Sequence, residues 1–310
     1  MIYIESTYVP QVLLLGNGLN RTYGGNSWGK LLSVICEDED LKEKTLYCPY
    51  PLQAILVTRD HVKTAIKNHK DEFYGQVNLS LSFQLHRLLE AGFDDILTTN
   101  YSYELESSAV GKNSTSDYIL KKYSKNIIEG KNVESKYLIS SCQMIKFKDV
   151  NNRIWHIHGE ARKPNSMILG HYYYASLLHK MMEFLTNRKN DYQIKQKDNK
   201  PQSIKSWLDS FILGDVYILG FGMDFCEIDL WWLINRKKRE NAKVGKIYFY
   251  TPIEKEFDEK LELLKLMGVE IISFNCEIDI SNSDLKDIQY DVFYQKAISN
   301  IIKKVQGKNK

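Results

Sequence analysis

The sequence predicts an α/β protein with a doubly wound, mostly parallel sheet, and three observations carry this. Short, wholly apolar runs recur along the chain, several end in glycine, and helix-like stretches lie between several of them. An apolar run without polar alternation suits a strand covered on both faces, as in a parallel sheet. Strands that alternate with helices imply right-handed crossovers.

The first run is Gln11–Gly16 (QVLLLG). Others are Asp95–Thr99, Arg153–His158, Ser166–Gly170, Asp215–Gly220, Lys246–Tyr250 and Val269–Phe274. Leu79–Leu89 keeps apolar residues at three- and four-residue steps, a helix starts after Glu227 over Ile228–Ile234, and Glu254–Met267 is amphipathic. Two stretches break the alternation. Ser107–Val150 is polar, with a Gly/Asn/Ser cluster at Gly111–Ser116, and Asn187–Gln202 is rich in lysine and asparagine. Both read as insertions, about 107–150 and 180–210, into one domain spanning 1–310, the second as a surface excursion. The basic end Lys303–Lys310 reads as solvated and frayed.

Composition narrows the function classes. With 43% hydrophobic and 26% charged residues, the chain has the make-up of a soluble globular protein. A formal charge of +3 exerts little pull on a polyanion, so direct nucleic-acid binding is not expected. The five cysteines (Cys36, Cys48, Cys142, Cys226, Cys276) form no C-x-x-C pair; they read as reduced, mostly buried thiols rather than a zinc site or a disulfide framework. No cationic-then-apolar leader is visible and no apolar run approaches the ~18 residues that span a bilayer, so a cytoplasmic protein without membrane contact is expected.

Four motifs follow predicted strands, where ligands bind in open α/β sheets. In Gly16-Asn17-Gly18-Leu19-Asn20, glycines permit a tight turn and close ligand approach, and peptide N–H groups at a helix start attract phosphate; a purely structural strand–helix turn would read the same. Thr98-Thr99-Asn100-Tyr101 offers polar groups at a strand end, although Asn100 also suits the cap of a helix beginning near Tyr103. In Trp155-His156-Ile157-His158-Gly159-Glu160, strand geometry would put His156 and His158 on one face. His158 then suits a general base over a cofactor and His156 a hydrogen-bonded structural residue, with a metal pair as the minority reading. Gly220-Phe221-Gly222-Met223-Asp224 supplies an opposite wall, where Asp224 either holds a ribose hydroxyl or caps the helix carrying Trp231 and Trp232.

The order of these pieces resembles the SIR2 family, in particular its bacterial anti-phage branch, and secondarily the AbiH-like abortive-infection proteins. The matching motifs are Gly-Asn-Gly-x-Asn, Gly25-Asn26-Ser27-Trp28 with Leu31 and Leu32, Thr-Thr-Asn, His-Gly and Gly-x-Gly; they run from residue 14 to residue 229. The resemblance implies a Rossmann-like domain that binds NAD⁺ through Gly16, Asn17, Gly18, Asn20, Ser27, Trp28, Thr99, Gly220, Gly222 and Asp224. It implies an NAD⁺ hydrolase releasing nicotinamide and ADP-ribose, with Asn100 and His158 catalytic, as the toxic effector of an abortive-infection system. Departures are also present. The family's paired C-x-x-C zinc module is missing, Ser102 stands where the family has aspartate, and Asn17 and Asn20 replace alanine and serine. Other readings are an NAD-dependent deacylase, an NAD- or ADP-ribose-binding subunit without turnover, and a dehydrogenase, which lacks a clean G-x-G-x-x-G. The family also implies self-assembly and a separate partner, such as a HerA-type ATPase or a short Argonaute.

With no C-x-x-C pair, the protein is expected to purify without stoichiometric zinc and to keep its activity in chelators. Elemental analysis is the check, and about one zinc per chain would reverse the reading of His156 and His158.

Overall fold

The computed structural model describes residues 2–4, 8–25, 27–36, 38–59, 61–69, 73, 75–110, 137–198, 202–240, 244–252, 258–276, 278–279, 281 and 283–308. In chain order the strands are β1 (Ile2–Ile4), β2 (Gln11–Leu15), β3 (Asp95–Thr98), β4 (Gln143–Phe147), β5 (Val150–His156), β6 (Gln202–Ile204), β7 (Asp215–Leu219), β8 (Ile247–Thr251) and β9 (Glu270–Ser273). The helices are α1 (Gly18–Thr22), α2 (Trp28–Ile35), α3 (Glu39–Lys44), α4 (Tyr50–Val57), α5 (Val62–Asn68), α6 (Leu79–Leu89), α7 (Glu104–Val110), α8 (His171–Asp198), α9 (Trp207–Leu213), α10 (Ile228–Lys238), α11 (Glu259–Leu266) and α12 (Ser283–Lys308).

Seven strands form one sheet in the order β4-β5-β3-β2-β7-β8-β9, and β1 pairs with β6 apart from it. All neighbours in the large sheet are parallel except β4 and β5. Taken in chain order, the six parallel strands lie 3-2-1-4-5-6, the arrangement of a doubly wound dinucleotide fold. The order reverses between β2 and β7, where Leu15 sits opposite Leu219.

Side chains alternate across a strand, so both faces need apolar residues. Leu14, Leu97, Trp155 and Ile218 pack under Phe211, Leu230 and Leu233 on one face. Leu13, Ile96, Tyr217 and Tyr248 pack under Leu81, Leu85, Phe293 and Ile298 on the other. A third cluster, including Leu32, Ala54, Ile66, Tyr101 and Met167, holds α2, α4 and α5 beside the carboxyl end of the sheet. Charged groups in the described core are hydrogen-bonded. Asp95 accepts from Arg153 (2.7 Å), Trp155 (2.6 Å) and Ser210 (2.6 Å), while burial still pushes its pKa up to about 6. Lys237 donates to the carbonyls of Phe211 (2.8 Å), Ile212 (2.9 Å) and Gly214 at the end of α9, and burial pushes its pKa down to about 7.

Six of the seven expected strands are present within one to three residues of their predicted ends. Ser166–Gly170 is not a strand. Ser166 closes a 3-10 turn, and Met167–Leu169 is buried but meets its neighbour through Ile168 N–H to His158 O (2.8 Å), beyond the end of β5 where no ladder continues. The described ends of 107–150 belong to the core, as α7 and as β4 at the sheet edge; the cluster at Gly111–Ser116 lies outside the described residues. In the region 180–210, α8 runs on to Asp198, Met181 and Leu185 are buried, Arg188 pairs with buried Asp209 (3.1 Å), and all of Trp207–Leu213 is buried. Lysine and glutamine favour helix, so a polar composition fits a helix equally well. The tail is helical to Lys308, which pairs with Asp215, and Ile301 and Val305 are buried. Trp231 is buried and Trp232 packs on the same core cluster, so both contribute packing within the chain. The cysteines are free thiols, three buried and two half-buried. Among the described residues, no helix is long and apolar enough to cross a membrane.

A Cβ at Gly16 would lie 2.4 Å from Gly220 O and 2.8 Å from Phe221 Cα, backbone that cannot yield cheaply. Gly16→Ala is therefore expected to lower stability by about 1–3 kcal/mol. Gly222→Ala, where a Cβ meets nothing within 4 Å, is expected to change it by less than about 0.5 kcal/mol. Urea unfolding of both variants is the measurement.

Candidate active site

At the carboxyl ends of β2, β3, β7 and β8 lies a cleft of about 750 Å³. Ten of the twelve residues singled out from sequence line it: Asn17, Gly18, Ser27 and Trp28 from the first turn and α2, Thr99 and Asn100 after β3, His158 after β5, and Gly220, Gly222 and Asp224 after β7. Gly16 and Asn20 do not.

The first turn differs from the expected phosphate cradle. Gly16 N–H donates to Leu219 O (2.9 Å) and Gly18 N–H to Gly220 O (2.7 Å), so these amides close the strand ends together instead of facing a ligand. Asn20 is 1% exposed and turned inward, its carbonyl accepting from Tyr23 (3.1 Å) and Gly25 (2.8 Å). What reaches the cleft is Asn17 and Gly18, joined by Arg21. Ser27 caps α2, its Oγ accepting from Lys30 N–H (3.2 Å), and Trp28 meets Tyr101 edge-on with ring centroids 5.5 Å apart.

After β3, the Thr98 Oγ1 accepts from Asn100 N–H (3.1 Å). Helix α7 starts only at Glu104, and Tyr103 O accepts from Ser107 N–H (2.8 Å), so Asn100 is not the helix cap. Nor does Asp224 cap α10. Glu227 holds that position, while Asp224 accepts from Cys226 N–H (2.9 Å) in the turn before it and is exposed to the cleft.

The two histidines face opposite ways. β5 ends at His156, and a turn at Ile157-His158 followed by Gly159 at φ +91° reverses the chain. A Cβ at Gly159 would lie 2.2 Å from Ser166 O, so the reversal needs glycine. His156 stays on the strand, donating from Nδ1 to Asn100 O (2.8 Å) with Nε2 2.8 Å from Glu106. Burial works against its charge, but Glu106 outweighs it and pushes the pKa up to about 9. His158 turns to the other face. Its Nε2 lies 2.8 Å from Asp229 Oδ2, its Nδ1 lies 3.8 Å from Glu227 Oε2, and Tyr174 packs edge-on at 5.5 Å. Burial would lower its pKa, yet Asp229 and then Glu227 raise it above the ordinary value.

His158, Glu227 and Asp229 are the one trio found among the described residues whose histidine and carboxylate donors lie within 4.8 Å of one another. The His158–Asp229 bond uses one atom of each, leaving His158 Nδ1 and Asp229 Oδ1 without a hydrogen-bond partner. The pair His156/His158 converges on nothing.

Sequence reasoning missed Glu104 and gave Glu227 no role. Both line the cleft, and burial pushes each pKa up to about 7; Ser102 donates to Glu104 and Tyr174 donates to Glu227 (2.9 Å). Their only signal was acidic residues beside helix starts, the place where carboxylates usually serve a helix dipole.

Fold and cleft together define an α/β protein of Rossmann-like layout with its pocket at the topological switch point. No model of a known protein family matches the chain, and no curated protein matches it.

Removing His156 leaves Glu106 buried without its cationic partner, so His156→Ala is expected to cost about 3–5 kcal/mol. Because the folded pKa of about 9 exceeds the unfolded ~6.5, this stabilisation is complete below ~6.5 and lost as pH rises through about 9. The wild-type urea midpoint should fall over that window, and part of the fall should be absent from the variant.

Proposed function

We infer that the protein is a cytoplasmic NAD⁺ hydrolase that cleaves the nicotinamide–ribose bond, giving nicotinamide and ADP-ribose, and that it serves as a toxic effector in anti-phage abortive infection. One observation carries the chemistry: a switch-point cleft in which Asn100 and a histidine–carboxylate network centred on His158 line the same space. Nicotinamide leaves neutral from a cationic ring, so the site has two tasks. It stabilises an oxocarbenium-like ribose and activates a hydroxyl or water, as glycosidases do. Asn100 orients the attacking water or ribose, and His158 takes its proton. Asn17, Gly18 and Arg21 lie at the side suited to the pyrophosphate, and Asp224 is open to a ribose hydroxyl. No zinc takes part. The acting species is a self-assembled chain restrained by a separate partner protein.

A second reading, a subunit that binds NAD⁺ or ADP-ribose without turnover, is favoured by the 1% exposure of His158, a deep position for a base.

Purified protein incubated with NAD⁺ separates the two. Hydrolysis releases nicotinamide, binding alone releases none, and a dehydrogenase shows NADH absorbance instead. Asn100→Ala and His158→Ala are each expected to lose about 10²–10⁴-fold in rate. Near-normal release by either folded variant would sink the assignment.

A further inference from the structure

The imidazole of His158 is tied at one nitrogen and open at the other. Nε2 is 2.8 Å from Asp229 Oδ2. Nδ1 is buried with no hydrogen-bond partner, and so is Asp229 Oδ1. Beyond Nδ1 stands Glu227 Oε2 at 3.8 Å, itself accepting from the Tyr174 hydroxyl. The titratable groups facing this ring are therefore Asp229 and Glu227 at the start of α10 and Tyr174 on α8, with Tyr101 after β3 near the two carboxylates. Both tyrosines have pKa values raised well above the ordinary one, by burial first, so they stay neutral. His156 lies across the sheet on Glu106.

An ionised carboxylate can only accept a hydrogen bond, so the proton of a neutral His158 ring sits on Nε2 and the lone pair on Nδ1. We propose that Asp229 is a positioning residue that fixes His158 in the Nε2–H tautomer, with Nδ1 as the proton-accepting atom and Glu227 as the exit through which that proton reaches solvent. This rests on the NAD⁺-cleavage reading. In the step, the O–H bond of the attacking water breaks and an N–H bond forms at Nδ1. The oxygen pair bonds to the anomeric carbon while the C–N bond pair leaves with nicotinamide. The sum is NAD⁺ and water giving ADP-ribose, nicotinamide and one proton. That proton needs a way out: the His158 side chain is 1% exposed, whereas Glu227 is 11% exposed and lines the cleft.

The test has two readouts. Heteronuclear NMR of the histidine side chains, with His158 assigned by comparison with His158→Gln, reports tautomer and titration in protein free of NAD⁺. Nicotinamide release against pH reports function. In the wild type, the rate should rise as His158 loses its proton, with a midpoint above 6.5 because Asp229 and Glu227 hold the cation. Asp229→Asn removes a neighbouring charge, so the midpoint should move down. The Nε2–H tautomer should lose its dominance, and kcat at the plateau should fall about 100-fold or more, with KM within about threefold. Glu227→Gln should keep the tautomer, lower the midpoint and reduce kcat; it carries the test if Asp229→Asn does not fold. An unchanged His158 tautomer and titration in Asp229→Asn, or unchanged kcat in Glu227→Gln, overturns the proposal. Stoichiometric displacement of the His158 resonances by added Zn²⁺ or Mn²⁺ also overturns it. If the wild type releases no nicotinamide while Asp229→Asn still moves those resonances, the NAD⁺-cleavage reading fails and the positioning role stands.

Discussion

The parallel pairing of β2 with β7 carries the rest of the structure. Two strands far apart in sequence meet in register from Gln11–Asp215 to Leu15–Leu219, and the contact continues past both strand ends through the amides of Gly16 and Gly18. Only hydrogen atoms at Gly16 and Gly18 allow Gly220 to come so near. Because the winding direction reverses here, the helices that follow the two strands diverge and a crevice opens between them. The cleft is a geometric result of this pairing. Glycines that looked like ligand-binding devices serve first to bring the crevice walls together.

A second constraint is the polarity of the interior beside that crevice. Asp95, Glu106, Asp209 and Asp229 are buried, and each lies within hydrogen-bonding distance of Arg153, His156, Arg188 or His158 respectively. A buried charge left without any hydrogen-bonding partner would cost several kcal/mol. The same burial strengthens each pair, and it raises the pKa values of Glu104 and Glu227 towards neutrality. Groups poised near neutral pH and open to a cleft are suited to moving protons, whereas His156 and Glu106, sealed on the far side, are suited to holding the loop after β3 in place.

Much of this was legible in the residues. Apolar runs without alternation marked β2, β3 and β7 because both sheet faces are covered there, and glycine or asparagine at their ends marked the cleft side. What could not be read was how the chain turns beyond a strand end. His156 and His158 are two apart and would share a face if the strand continued; Gly159 sends them to opposite faces. Ser166–Gly170 is apolar because it is buried, not because it pairs, and periodicity does not separate those causes. The polar stretch after Thr186 looked like a loop excursion because a helix and a loop can share a polar composition. Glu104 and Glu227 escaped notice because carboxylates near helix starts are common, and their burial is a tertiary property.

The pairing of β2 with β7 also bears on how the molecule is born. One wall of the crevice is made from residues before 30, the other from residues after 219, and Lys308 near the far end latches onto Asp215 at the base of the central strands. Contacts so distant along the chain form late. A nascent chain that has not yet reached Gly220 owns only half a pocket and none of the Glu227–Asp229 carboxylates. Products truncated or stalled before that point are therefore incomplete at this site.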